Sequence, residues 1–244
     1  MLAVCLVLSG AADHAPAAEW GNLTGRIVYD GDARTPPAIT ITKDADCFQG
    51  AKLVDEPLLV GKDGGVANVV VYVRSKGVDV HPDYENLPET SIKLDNHKGR
   101  FEPRIVTFDL KQPLVVSNSD ACAHNSNCQP LGDTGFNPLL PSKGTYKHTF
   151  SRQQNIPIPV SCNIHPWMKG YVLPRENPYA TVSAKDGTFT LENLPVGELE
   201  FQAWQEKAGY LATEDWPKGR FKVTIKPGVN SLGTIKLEPA LFEK

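Results

Sequence analysis

The chain has 244 residues, enough for one large β domain or two modest ones, and a formal charge of −3. With charge so nearly balanced and no basic stripe or long charge run, neither a nucleic-acid binder nor a polybasic membrane contact is expected. Twenty glycines and twenty prolines among short valine- and threonine-rich runs predict many strands and turns, an all-β fold.

The amino-terminal stretch MLAVCLVLSGAADHAPAAEW carries a short apolar run at 2–12 followed by small residues. It has the core and cleavage pattern of a secretory signal peptide over residues 1–18, although no Lys or Arg precedes Arg26. Export to the periplasm or the extracellular space is the expectation. The run is too short to span a bilayer, and no integral membrane segment is expected in the mature chain. Export permits disulfides. Of Cys47, Cys122, Cys128 and Cys162, the last is set aside below, and the spacing does not choose a pair among the other three.

Residues 22–29 (NLTGRIVY) and 38–43 (AITITK) read as strands separated by a Gly/Asp/Pro-rich turn. LLVGKDGGVANVVVYVR holds an Asp63-Gly64-Gly65 turn and then an apolar run typical of a central strand. Residues 79–90 read as a linker or loop. Three further strands are expected within 91–118, in SIKLD, RIVTFDL and PLVVSN. From Asp120 to Lys143 no periodicity survives; a loop of that length is usually functional or tightly pinned. TYKHTF and IPIPVS resume as strands. Beyond Pro174 an Asp186-Gly187 hairpin signal and alternating Phe189, Leu191, Leu199 and Phe201 continue the β pattern, which ends in FKVTIK and SLGTIKLE. A short helix is allowed only near 205–216.

The segment Ser161–Tyr171, SCNIHPWMKGY, places Cys162, His165 and Met168 three residues apart. Apart from the initiator, Met168 is the chain's only methionine. Thiolate, imidazole and thioether form a soft ligand set suited to copper, and two histidines, one cysteine and a distant axial methionine are the blue-copper set. Pro166 restrains the turn, because its ring fixes φ and removes an N–H. A second histidine must come from elsewhere. His14 falls in the signal segment, His81 and His97 lie in polar stretches and His148 lies in a strand pattern. His124, in VVSNSDACAHNSNC, follows a strand end and opens the long loop. Cys122 and Cys128 flank it, so a zinc-like Cys/His set remains an alternative, although Met168 would then be unexplained. A third reading has no metal, with Cys162 and Met168 as ordinary buried residues at a strand end.

CNIHPWMKGYV resembles the copper loop of cupredoxins, most closely the amicyanin type, and VVSN…HN resembles the upstream strand that delivers their first histidine. The resemblance covers about residues 91–173. It implies a Greek-key β-sandwich and one type 1 copper, with His124, Cys162 and His165 equatorial and Met168 axial. Asn125 would tie the two ligand loops together. DGTFTLENLPVGELEFQAW, GNLTGRIVYDG and GGVANVVVYVR resemble strands of carboxypeptidase regulatory-like (transthyretin-like) domains. That implies a discontinuous transthyretin-like sandwich, 19–88 and 175–244, interrupted by the cupredoxin. Insertion at a loop tip with neighbouring chain ends is physically cheap. The whole pattern also resembles exported methylamine-utilisation-like proteins of bacteria, which says little about substrate.

No nucleophile elbow, phosphate loop or paired-carboxylate site stands out, so no enzymatic activity is expected. The reading is an exported electron carrier that meets protein redox partners transiently, with His165, at the loop's outer edge beside Pro166 and Trp167, as the electron port and an apolar surface there for docking. A copper-sequestering protein is the alternative. A polysaccharide-binding or adhesion module is another, with Trp204, Tyr210 and Trp216 as its aromatic platform.

Overall fold

A computed structural model describes residues 19–32, 35–85 and 90–243. The signal segment therefore lies outside the described residues. The chain is all-β, its only helical pieces in the described part being single 3-10 turns. No helix among the described residues is long and apolar enough to cross a membrane.

Four larger sheets organise the chain, in two pairs. Trp20–Tyr29 is the centre of a three-stranded sheet, antiparallel to Thr188–Pro195 and parallel to Gly228–Leu237. A five-stranded sheet joins Ala180–Val182, Val69–Val73, Gly197–Gln205, Gly209–Tyr210 and Arg220–Ile225. Between these two sheets lies a core that includes Leu23, Ile27, Val71, Phe189, Leu191 and Phe201. The alternation at 189–201 is thus the inward face of two adjacent strands. Two Lys-Asp-Gly turns meet at one rim, where Arg26 donates to the carbonyls of Asp63 and Asp186. Gly187 sits at φ +82, and a Cβ there would lie 2.1 Å from the Ile27 carbonyl oxygen. Only glycine fits so close an approach.

The second pair of sheets comes from the chain between. One sheet has the order Thr145–His148, Leu114–Asn118, Ile92–His97, Arg100–Glu102. The other has the order Ile105–Asp109, Lys169–Arg175, Ile158–Ser161, Asn127–Cys128. Their core holds Leu94, Val116, Phe150, Val160 and Val172, and reaches Cys162 and Met168.

Val69–Val73 joins the two halves of the molecule. All five residues are buried, because each face of the strand has a different partner. Val69, Val71 and Val73 point into the first core. Val70 and Tyr72 pack with Trp204 against Ile105 and Leu173 of the second pair. A near-continuous apolar run is what a strand covered on both faces requires. Polar contacts reinforce this seam. Arg104 forms a bidentate pair with Glu206 and also holds Glu56, while Arg175 donates to the carbonyls of Gln154 and Val73.

Three expectations are corrected here. AITITK is not a strand: apart from one isolated bridge, Ala38 to Val54, it pairs with nothing, and 42–46 lie exposed. Its β-branched residues supply propensity but no sheet edge is there to receive them. The stretch near 205–216 is not helical. It makes a hairpin in which Trp204 and Gln205 pair with Tyr210 and Gly209, turning at Gly209 with φ +73. The aromatic platform does not form, because Trp204 is buried against Tyr171 and Trp216 stacks on Phe221 at 4.1 Å.

The long loop from Asp120 is pinned at several points. His124–Asn125 pairs with Leu139–Leu140, and Cys128 pairs with both Phe136 and Val160. Asn118 ties its start to its end by donating to the carbonyls of Cys122 and Leu140.

Candidate metal centre

Cys162 follows the strand Ile158–Ser161, and Lys169 opens the next strand. The turn between them closes on itself, with Met168 N–H donating to the His165 carbonyl at 2.9 Å and Cys162 N–H to the Met168 carbonyl at 3.3 Å. Cys162 is 2% exposed and Met168 1%. The short strand that starts at His124 lies across from this turn, and Asn125 locks the two together. Its Oδ1 accepts from the backbone N–H of Asn163 at 2.7 Å and of Ile164 at 3.3 Å. The Cys162 thiol reaches the same oxygen at 3.5 Å. Asn125 thus ties the two segments together, the position the resemblance implied for it.

His124, Cys162 and His165 converge. The Nδ1 atoms of the two histidines are 3.0 Å apart, and Cys162 Sγ is 3.9 Å from Nδ1 of His124 and 3.7 Å from Nδ1 of His165. Three ligand atoms round one ion, at bonds of about 2.0–2.3 Å, stand about 3–4 Å apart. All three residues are buried, both histidines with no exposed surface. Met168 sits in the same apolar cluster as Cys162.

Each imidazole is held on its far side by a carboxylate. His124 Nε2 lies 3.0 Å from Asp120 Oδ2, and His165 Nε2 lies 3.0 Å from Asp44 Oδ2. With Nε2–H donating outward, each Nδ1 lone pair faces the other ring and the sulfur. Facing lone pairs at 3.0 Å repel unless a proton or a cation lies between them, which makes this donor set fit a metal ion.

The charges match that picture. Burial drives the His124 imidazole down, but its bonds to Asp120 and Cys162 more than offset this and bring it to about 9. Burial drives the Cys162 thiol up, yet hydrogen bonds from His124 and the surrounding backbone leave it below the ordinary thiol value. His165 stays below the ordinary imidazole value, because burial and the neighbouring His124 outweigh Asp44. For Asp120, burial raises the carboxyl but the bonds from His124, Gly99 and Lys98 lower it further.

The remaining cysteines are now placed. Cys47 and Cys122 form a disulfide, so Cys122 is not available to a zinc-like set with His124 and Cys128. Cys128 is a free, buried thiol, pushed up to about 12 by burial alone.

His165 is not an exposed edge, contrary to expectation. Phe48 packs edge-on against it at 5.1 Å and lies 5.9 Å from Trp167, and the Asp44 side chain, 43% exposed, is what meets solvent. Asp44, Phe48 and Asp120 were absent from the reading of the sequence. Asp120 had a local signal, as the one acidic residue between the strand end at Asn118 and His124. Asp44 lies 121 residues from its partner, and only the nearby Cys47 could have pointed to it.

No protein-family model and no curated protein sequence matches the chain. Solved structures similar to part of it include cupredoxins and a copper-containing enzyme. A Cu-containing nitrite reductase from Thermus scotoductus SA-01 is 19% identical with a TM-score of 0.33, over 43% of this chain and 25% of its own. The chain thus spans about a quarter of that enzyme's length. A purple cupredoxin from Nitrosopumilus maritimus is 20% identical with a TM-score of 0.30, over 35% of this chain and all of its own. Amicyanin, as a point mutant in its reduced Cu(I) form, is 19% identical with a TM-score of 0.32, over 43% of this chain and 98% of its own.

Proposed function

We propose that this protein holds one type 1 copper ion through His124, Cys162 and His165, with Met168 as the axial ligand, and passes single electrons between protein partners. The observation that carries the reading is the buried convergence of two outward-anchored imidazoles and one thiol on a single point. Copper bound there would alternate between its cuprous and cupric states. The chain's own part is to keep the ligand atoms still. Asp120 and Asn125 fix the loop of the first histidine, the Cys162–Met168 backbone bonds fix the second loop, and the apolar cluster excludes water. An immobile donor set undergoes little rearrangement on gaining or losing an electron. The outer sandwich, transthyretin-like by its sequence pattern, serves in this reading as a scaffold, the protein is exported, and it is a carrier rather than an enzyme.

The burial of His165 favours one competing reading, a protein that sequesters copper without turning electrons over, since a closed centre also suits retention. A visible absorption spectrum of the purified chain, before and after one equivalent of Cu(II), tests the site. An intense thiolate-to-copper band, lost in Cys162→Ser, is expected. A folded protein with reduced Cys162 and no such band refutes the type 1 assignment. A reversible couple with fast self-exchange separates carrier from store.

A further inference from the structure

The segment over His165 belongs to neither ligand loop. Residues 42–46 are exposed and join no sheet, so three local attachments hold them. The single 3-10 turn Ala45–Phe48 starts at Asp44, whose left-handed backbone (φ 51, ψ 40) is uncommon outside glycine but tolerated by Asp. Its Cys47 is bonded to Cys122, two residues before His124, and Cys122 N–H also reaches Cys47 Sγ at 3.1 Å. Its Phe48, 2% exposed, covers His124, His165 and Trp167. Asp44 then places its carboxylate on His165 Nε2. The disulfide is thus a brace from the strand of one histidine to the carboxylate that faces the other.

We propose that this turn is a cap latched by the Cys47–Cys122 disulfide, and that Asp44 is a positioning residue for His165. The cap closes the centre to small external ligands and fixes the His165 tautomer. The proposal builds on the copper reading, but the closure concerns this chain's own residues and is testable without metal. Two consequences follow from the chemistry. An anion bonded to a ligand imidazole makes that ring a stronger donor and favours the more highly charged metal state, so removing the Asp44 charge raises the reduction potential. Cutting the latch leaves the turn held only by the Phe48 packing and the Asp44 contact, so it opens more often and His165 becomes reachable.

The first test uses the full metal-free chain, labelled with diethyl pyrocarbonate and read by peptide mass spectrometry, with half-buried His81 and His97 as internal references. In the untreated protein His165 is expected to resist labelling. In Asp44→Asn His165 should react about ten- to a hundredfold faster, the population change that loss of a charge-assisted hydrogen bond brings, and in Cys47→Ser/Cys122→Ser and in the native chain reduced with a phosphine it should also react faster than in the untreated protein. The phosphine arm needs no substitution, so a misfolded variant does not decide the matter. Equal labelling in native and reduced protein overturns the cap. The second test uses the copper-loaded chain: azide should perturb the spectrum of the latch variant and not the native one, and Asp44→Asn should shift the potential upward with the thiolate band retained. An unchanged potential overturns the positioning role of Asp44. Protected His165 in a chain that shows no copper band leaves the cap standing and removes the copper reading instead.

Discussion

Asp120→Asn is the substitution that best separates a packed loop from a prepared ligand. The Asp120 carboxylate is buried and accepts three donors, the backbone N–H of Lys98 and of Gly99 and Nε2–H of His124. An amide offers one acceptor oxygen and one NH₂, so at least one of the three donors must face another donor. A buried donor left without a partner costs about 1–3 kcal/mol. For a chain of this size that lowers Tm by about 2–4 °C per kcal/mol, hence several degrees in total. If the amide turns its NH₂ to His124 instead, Nε2 becomes an acceptor and the proton moves to Nδ1, the atom proposed to hold the metal. Metal affinity then falls about 10–100-fold, as loss of such outer partners usually brings. Thermal unfolding of the metal-free chain and competition titration of Cu(I) against a chromogenic chelator give the two numbers. Glu198→Gln is the control, since the Glu198–Lys222 pair lies in solvent and such pairs contribute little. If Asp120→Asn matches that control in both assays, the carboxylate neither holds the loop nor sets the tautomer.

Three further outcomes are expected. The Asp120 carboxyl lies below the ordinary carboxylate value, so its stabilisation is present above that value and is lost as pH falls through the lowered one. The difference in urea midpoint between native and Asp120→Asn chains, both metal-free, should therefore shrink on acidification; a constant difference refutes the assignment. Arg104→Ala leaves Glu206 without its partner at the seam, while Glu56 keeps Arg100, and should destabilise the fold by about 3–5 kcal/mol in denaturant titration, the usual cost of halving a buried ion pair; a loss within the range of surface substitutions would show that water reaches the seam. Cys128, wholly buried and pushed up to about 12, should resist aromatic disulfide reagents at neutral pH until the chain is unfolded, since the thiolate is the reactive form.

What the sequence disclosed about the site followed chain proximity. Cys162, His165 and Met168 are read together because one turn holds them, and His124 stands out because its loop opens at a strand end. The carboxylate on His165 comes from a segment 121 residues away, and that segment's β-branched residues pointed to a strand. Propensity describes the residue, whereas a strand also needs an open edge, and none is offered to AITITK. The disulfide was undecidable for the same reason: three cysteines give no pairing until the fold brings Cys47 over Cys122. The all-β class and most strands were legible because period-two alternation is local. The hairpin at 205–211 was missed because Gly209 supplies a turn where the flanking composition allowed a helix.

The strand Val69–Val73 has a bearing on how this chain can be taken apart. Because Val70, Tyr72 and Trp204 lean on Ile105 and Leu173, excising 91–173 for separate expression would strip a greasy wall from both fragments at once. The fragment with the ligand residues would also lose Asp44, Phe48 and its bridging cysteine. Anyone transplanting the Cys162–Met168 turn into a smaller scaffold leaves behind the segment that covers His165 and the disulfide that holds it, and faithful minimisation has to start from the seam rather than from the turn.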